Sequence, residues 1–408
     1  MNILFLTLVN ISSFEERHNI YADLCREMVN RGDTVHIVCP IEKKGDAKTH
    51  YEPYLGDSGI LKIRSGKVQK TNILRKGMET ILAGVRYKNA VKGHLRQLKY
   101  DLILYSTPPI TLVNVVKYLK KRDGATTYLL LKDIFPQNAV DIGMMSKRGL
   151  KGLIYKYFRR KEKKLYAISD CIGCMSQANV DYVLKHNPEI PPEIVHVSPN
   201  SFDPTVEKRT EEEKKTIREK HGLPLDKKIF VYGGNLGKPQ SVPFLIECMK
   251  SLSERNDAYF VICGSGTEYA LLEDYVKKSR QGNLLLLPGL PRADYEAFVG
   301  CCDVGLIFLD YRFTIPNFPS RLLSYMQKSL PVIACTDPAT DVGDVVEAGG
   351  FGWKCESRDP LDFMRTVELA IAADTEAMGE NAAKYLVENY SVNNSVQIIL
   401  SEYEKVKK

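Results

Sequence analysis

The chain has 408 residues, 44% of them apolar and 26% charged. That is the make-up of a folded protein long enough for two or three separate cores, and it excludes a disordered or collagen-like chain. The net charge of +7 hides an asymmetry, since residues 1–200 hold 32 Lys and Arg against 19 Asp and Glu while the remainder holds 25 against 31, as expected of two domains with different partners.

The opening run, Met1 to Val9, lacks the basic start of a signal peptide and reads as a buried strand. Further strand patterns of the front half fall at 34–39, 61–64, 101–106, 126–131, 171–175 and 194–197, with helical patterns near 15–31, 74–97, 109–122, 148–168 and 177–187. The longest uncharged run, residues 102–116, is 15 residues and contains Pro108 and Pro109, short of the roughly 20 apolar residues a spanning helix needs. A charged, Pro-punctuated stretch, 201–227, is the expected linker, with room for a short helix of its own. The pattern restarts at 228–234 and continues with strands near 258–263, 283–287, 304–308, 332–335 and 351–354. Short apolar runs alternating with helical patterns are the mark of βαβ units. The expected fold class is therefore α/β, with two Rossmann-like parallel-sheet domains, 1–200 and 228–389, facing across a cleft. The last helix, about 390–408, is expected to pack back on the first domain.

Ten cysteines lie mostly in apolar stretches, the pattern of reduced core thiols in a cytosolic protein. Cys171 and Cys174 form a CxxC, but no second pair or His pair completes a zinc set, so a buried strand is the first reading there.

The loops after the strands carry the chemistry. The first, Asn10 to His18, has no glycine, which argues against a dinucleotide fold, and no P-loop sequence exists. His18 reads first as a surface residue and second as a site group. The first turn of the back half, Tyr232 to Ser241, differs: Gly233, Gly234 and Gly237 allow a tight turn whose N–H groups can cradle an anion, beside Asn235, Lys238 and Gln240. Two more glycine turns follow, Gly264-Ser265-Gly266 and Gly289-Leu290-Pro291-Arg292. Ser320 is spaced to cap a helix beginning at Arg321, with Arg321 and Ser324 on one face. That arginine either faces an anion or projects into solvent from an ordinary amphipathic helix.

Five motifs in order resemble a GT-B fold glycosyltransferase of family four, in the branch that builds bacterial capsule, exopolysaccharide or O-antigen. They are Asp101-Leu-Ile-Leu-Tyr-Ser-Thr-Pro-Pro109, Asp133-Ile-Phe-Pro136, Pro199-Asn-Ser-Phe-Asp203, Gly234-Asn-Leu-Gly-Lys238, and Pro319-Ser-Arg321 with Tyr325-Met326 and Leu330-Pro-Val-Ile-Ala334. The resemblance implies retaining, metal-independent transfer of an N-acetylated or deoxy sugar from a UDP-sugar to a polyprenyl-diphosphate-linked saccharide. No cofactor is implied, the nucleotide sugar being a substrate. Diphosphate binding falls to Asn235, Lys238, Ser320 and Arg321, with Gly234, Gln240, Asn317, Phe318 and Ser324 around the donor. Gly264, Ser265, Gly266, Gly289, Leu290 and Arg292 fall at the base. Lys238 and Arg321 are then catalytic through the leaving diphosphate. Asp133 either orients or deprotonates the acceptor hydroxyl or merely caps its loop. In the first-domain loop Ser12, Ser13 and His18 are the acceptor-side candidates.

The paired glutamates of the family fall here at Pro316 and Ser324, so both carboxylates are missing. This leaves room for a non-catalytic, membrane-docked partner subunit, and a UDP-sugar 2-epimerase shares the architecture. The basic residues of 62–99 and 147–164 suit an anionic membrane surface or solvated helix faces. No nucleic-acid motif accompanies them. The expected location is the cytoplasm, peripheral on the inner face of the cell membrane.

Overall fold

The computed structural model describes residues 1–17, 19–41, 48–64 and 73–408, with the backbone alone for 73–81. The chain divides into two units, Met1–Asp203 with Ser391–Lys408, and Pro204–Tyr390.

The first unit runs β1 (Asn2–Leu6), α1 (Ile20–Asn30), β2 (Thr34–Pro40), β3 (His50–Pro53), β4 (Gly59–Ile63), α2 (Ile73–His94), β5 (Leu102–Ser106), α3 (Val113–Asp123), β6 (Thr126–Leu131), α4 (Gln137–Asp141), α5 (Gly149–Ile168), β7 (Cys171–Cys174), α6 (Gln177–His186) and β8 (Val195–Val197). Its sheet has the order β3-β4-β2-β1-β5-β6-β7-β8 and is parallel except for β3, which runs against β4. Strands such as β1, with Ile3, Leu4, Phe5 and Leu6 all fully buried, read as unbroken apolar runs because helices cover both faces. The edge strand β3 escaped the sequence reading: four residues, two exposed and two half-buried, ending in Pro53 carry no apolar pattern, and an edge strand tolerates Pro.

The second unit runs α7 (Glu211–Lys220), β9 (Lys228–Asn235), α8 (Val242–Ser251), β10 (Ala258–Ser265), α9 (Tyr269–Ser279), β11 (Leu284–Pro288), α10 (Arg292–Val299), β12 (Val304–Phe308), α11 (Arg321–Gln327), β13 (Val332–Thr336), α12 (Val342–Ala348), β14 (Gly352–Glu356), α13 (Pro360–Ala372) and α14 (Thr375–Asn389). Its six strands are all parallel, in the order β11-β10-β9-β12-β13-β14. Phe230, Phe260, Phe308 and Phe363 anchor the core under α8 and α13. Since β10 lies on one side of β9 and β12 on the other, the chain changes direction between β9 and β12, the place where open α/β sheets bind ligands.

The stretch expected as a linker is folded. From Pro204 onward it belongs to the second unit, and α7 is set by a Thr210–Glu213 capping box. Arg218 ties that helix down by pairing with Asp303 at 2.8 Å and donating to the Cys301 carbonyl at 2.8 Å. Its charge marks a solvated face of this short helix, for which the linker reading left room. The final helix, α15 (Val392–Lys407), belongs to the first unit, where Val396 and Ile399 join the core formed by β1 and α1. All ten cysteines are buried and unpaired. Cys171 and Cys174, three apart on β7, point to opposite faces of the sheet and cannot share a ligand.

Candidate active site

In the second unit the loops after β9, β10 and β11 lie side by side, because Gly234 is in register with Gly264 and Gly264 with Pro288. Gly264 and Gly266 serve this closeness. A Cβ on Gly264 would lie 2.0 Å from the Gly234 carbonyl oxygen, and one on Gly266 would lie 2.2 Å from that of Leu236. The loops are cross-linked by the Leu236 N–H donating to Ser265 O at 2.9 Å and the Glu268 N–H donating to Leu236 O at 2.9 Å. These glycines therefore shape the site by backbone packing, whatever else they contact. Gly289, by contrast, meets nothing nearer than the Ser265 hydroxyl at 3.7 Å.

Arg321 opens α11 and reaches across to the end of β9. Its guanidinium lies 4.4 Å from the Tyr232 ring centroid, and Nη2 would be 3.2 Å from a Cβ on Gly234, whose φ of +126° suits glycine alone. Nη1 is buried and has no hydrogen-bond partner. Arg218, Arg312 and Arg292 of this unit are matched with carboxylates, with Asp303, with Asp310 at 2.6 Å and with Glu296 at 3.0 Å, whereas Arg209 Nε, like Arg321 Nη1, is buried without a partner. A buried donor on a cation with no acceptor costs up to about 3 kcal/mol, a deficit that an anion at the β9–β12 switch point would remove. Asn317 Nδ2, four residues earlier, is likewise buried without a partner, while the Asn317 carbonyl accepts from the Thr340 hydroxyl.

Three tyrosines support Arg321. Tyr232 donates to the Asn235 carbonyl at 2.6 Å. The Tyr325 ring lies flush on Gly305; its hydroxyl accepts from the Gly233 N–H at 3.2 Å and sits 3.1 Å from the Leu306 carbonyl. The Tyr295 hydroxyl occupies the space a Cβ on Gly233 would need. Burial raises all three phenols, Tyr325 to about 12, so they stand neutral beside the guanidinium at ordinary pH. Sequence reasoning missed Tyr295 and Tyr325 as site supports; the one available signal was a pair of small residues, Gly233 and Gly305, on strands where a large ring must fit.

The remaining expectations divide. Asn235 is not a free donor: its Nδ2 donates to Gln240 Oε1 at 2.8 Å, and that oxygen also accepts from the Gly237 N–H at 3.2 Å, so Gln240 closes its own turn through its oxygen and not through its amide N–H groups. Lys238 is exposed on the following 3-10 turn. Ser320 does not cap α11; it is itself in the helical region, with φ −64° and ψ −15°, and its side chain makes no cap bond. The helix it precedes has seven residues, with Ser324 half-buried on it. Arg292 is engaged by Glu296 and Leu290 is half-buried. Phe318 is buried, its ring 6.1 Å from Tyr390.

In the first unit Asp133 follows β6. Thr107 Oγ1 accepts from the Lys132 and Asp133 N–H groups at 3.0 and 3.3 Å and donates to Asp133 O at 3.2 Å, which pins the backbone. Both carboxylate oxygens accept from Asn138 Nδ2 at 2.8 Å. Burial pushes the Asp133 carboxyl up to about 6, against the lowering effect of that amide. A carboxylate so poised can take or hold a proton near neutral pH. Ser12 and Ser13 are exposed, and the Ser12 amide and hydroxyl both bond to Glu16 Oε2, at 2.9 and 2.7 Å, a self-contained turn. His18 lies outside the described residues.

Residues 213–402 match the family described as glycosyl transferases group 1, and residues 19–206 match glycosyltransferase family 4. Over 324 residues the chain is 23% identical to WbjE of Pseudomonas aeruginosa, named as a glycosyltransferase, covering 79% of this chain and 78% of that one. Over 256 residues it is 23% identical to WcaI of Escherichia coli (strain K12), named as a colanic acid biosynthesis glycosyl transferase, covering 62% and 61%. Among solved structures it resembles Anabaena HepE in complex with UDP, with a TM-score of 0.67, 15% identity and 99% and 100% of the two chains covered. The chain is a glycosyltransferase with the GT-B fold. Its front half carries the family 4 domain and its back half the group 1 domain.

Proposed function

We propose that this glycosyltransferase moves an N-acetylated or deoxy sugar from a UDP-sugar to a polyprenyl-diphosphate-linked saccharide, with retention of configuration, in the assembly of a bacterial surface polysaccharide. The observation that carries the reading is the unpartnered, buried Nη1 of Arg321 at the β9–β12 switch point. With exposed Lys238 and the N–H groups of the glycine turn, Arg321 supplies positive charge where a leaving diphosphate would need it, in place of a metal ion. HepE, which shares the fold, has been seen with UDP and with UDP-glucose, and the colanic acid role in the name of WcaI favours the polysaccharide branch. In the transfer, the acceptor oxygen bonds to the sugar's anomeric carbon as that carbon's bond to the diphosphate breaks. The diphosphate leaves with the electron pair, and the acceptor's proton passes to ionised Asp133.

A peripheral place on an anionic leaflet is favoured by α5. Leu150, Leu153, Ile154 and Tyr157 form a stripe at helical spacing that the chain leaves exposed, Leu150 by 84%. Exposed Lys147, Lys151, Lys156 and Arg160 flank it, the composition of an interfacial helix. Among the described residues no helix is long and apolar enough to cross a membrane. In the other basic stretch, 62–99, the Lys62 amine is buried, donating to the Ile11 carbonyl at 2.7 Å, and is not available to a membrane surface; 65–72 lie outside the described residues.

The test of the donor site is calorimetric binding of UDP. Arg321→Ala should weaken it about 10- to 100-fold, the loss of one or two charge-assisted bonds, and Lys238→Ala by less. UDP binding equal to wild type in both variants, or absent in wild type, refutes the assignment.

A further inference from the structure

Asp133 has its backbone fixed by Thr107, and its carboxylate meets one side-chain donor, Asn138, in the first turn of the five-residue helix α4, beside the Ile134 N–H. The orientation of that amide is determined. Asn138 Oδ1 accepts from the Ala139 N–H at 2.6 Å, so Nδ2 must be the atom facing the carboxylate; a flipped amide would set oxygen against oxygen. Nδ2 is 2.8 Å from both Asp133 oxygens, so the carboxylate plane is held symmetrically rather than by one edge. We infer that Asn138 is a positioning residue for Asp133, its side-chain amide fixing the carboxylate in the orientation and the ionised form in which it meets the acceptor hydroxyl. The inference rests on the catalytic reading of Asp133 proposed above.

The charged groups around Asp133 give Asn138 the deciding role. Glu162, on α5, opposes ionisation, but it is itself paired with Arg159 at 2.6 Å and bonded to the Tyr166 hydroxyl at 2.9 Å. Lys132, the adjacent residue, turns its amine away to the Ser198 carbonyl at 3.1 Å. Asp141, at the far end of α4, lies 2.6 Å from the Gln137 amide. No cation among the described residues forms an ion pair with Asp133, so the Asn138 amide and the Ile134 N–H are what favour its charged state against burial.

The experiment is a carbon-13 NMR titration of Asp carboxyls, with Asp133 assigned as the resonance missing from Asp133→Asn. The pH profile of UDP release from UDP-N-acetylglucosamine, water serving as acceptor, is measured beside it. In Asn138→Ala the Asp133 midpoint should move up by about one pH unit, and the rate, lowered at both pH values by the lost orientation, should fall about fivefold further at pH 6 than at pH 8. Asn138→Ser, which keeps one donor, should lie between, and it decides the matter should the alanine variant not fold. An Asp133 midpoint unchanged from wild type, or a rate lowered equally at pH 6 and 8, overturns the inference. Full turnover in Asp133→Asn would instead defeat the catalytic reading of Asp133, while the titration would still report whether Asn138 holds its carboxylate.

Discussion

Lys132 is the most direct test of the physical reading of the first unit. Its amine donates to the Ser198 carbonyl at 3.1 Å and lines a cavity with room for about one water, shared with Asn200, Ser395 and Ile399. The Ser198 hydroxyl and Asn200 Oδ1 are buried there without partners. Burial lowers the amine from 10.5 to about 7. A displacement of that size corresponds to at most about 5 kcal/mol of destabilisation when the amine is charged. Part of the side chain remains exposed, a water in the cavity would solvate the amine, and the bond to Ser198 is worth about 1 kcal/mol. Lys132→Met should therefore stabilise the unit by about 2 kcal/mol at pH 6. Between pH 7 and 10.5 the folded wild type has released this proton and the unfolded chain still binds it, so wild-type stability rises with pH through that window. The advantage of Met should accordingly fade toward zero by pH 10. The only tryptophan, Trp353, is on β14 of the second unit, so fluorescence is the wrong probe. Native-state hydrogen exchange at the amides of β6 and β7, measured from pH 6 to 10, reads the first unit itself. A stability difference constant across that range, or a loss of stability at pH 6, would show that the amine is not held in a desolvated place.

Gly266→Ala should destabilise the second unit by about 2 kcal/mol, because its methyl group would stand 2.2 Å from a backbone oxygen that cannot move without opening the β9–β10 loops; here Trp353 fluorescence in urea is a suitable measure, and an unshifted midpoint would contradict the close approach. Replacing Leu153 and Ile154 by Asp should abolish sedimentation with phosphatidylglycerol vesicles at low salt while leaving the melting temperature unchanged, since both side chains are exposed. Wild-type binding equal on neutral vesicles and insensitive to salt would count against the α5 surface.

The elements that could be read directly were those whose local pattern is strong. The apolar runs of β1, β5, β6, β9, β10 and β12 are buried on both faces and need nothing but composition to be recognised. Their loops, with glycines at 234, 264 and 266 and Arg321 four residues beyond Asn317, marked the candidate site before any contact was known. Weakly patterned pieces were not legible. The strand β3 is polar, α4 is five residues long, and the charge run of α7, though it left room for a short helix, does not reveal that Arg218 has a partly buried partner in Asp303.

Residue order along the chain thus decides the parallel architecture, the two cores and the place of the glycine-rich loops, since each follows from patterns within a dozen residues. Which side chains are spoken for is decided elsewhere. The Gln240 oxygen is taken up by its own turn, Ser320 caps nothing, Arg321 keeps a buried nitrogen without an acceptor, and Asn138 rather than a cation holds Asp133. Each of these depends on what a group meets in three dimensions. Burial removes water as the default partner, and only the packed fold determines whether another partner stands within hydrogen-bond reach.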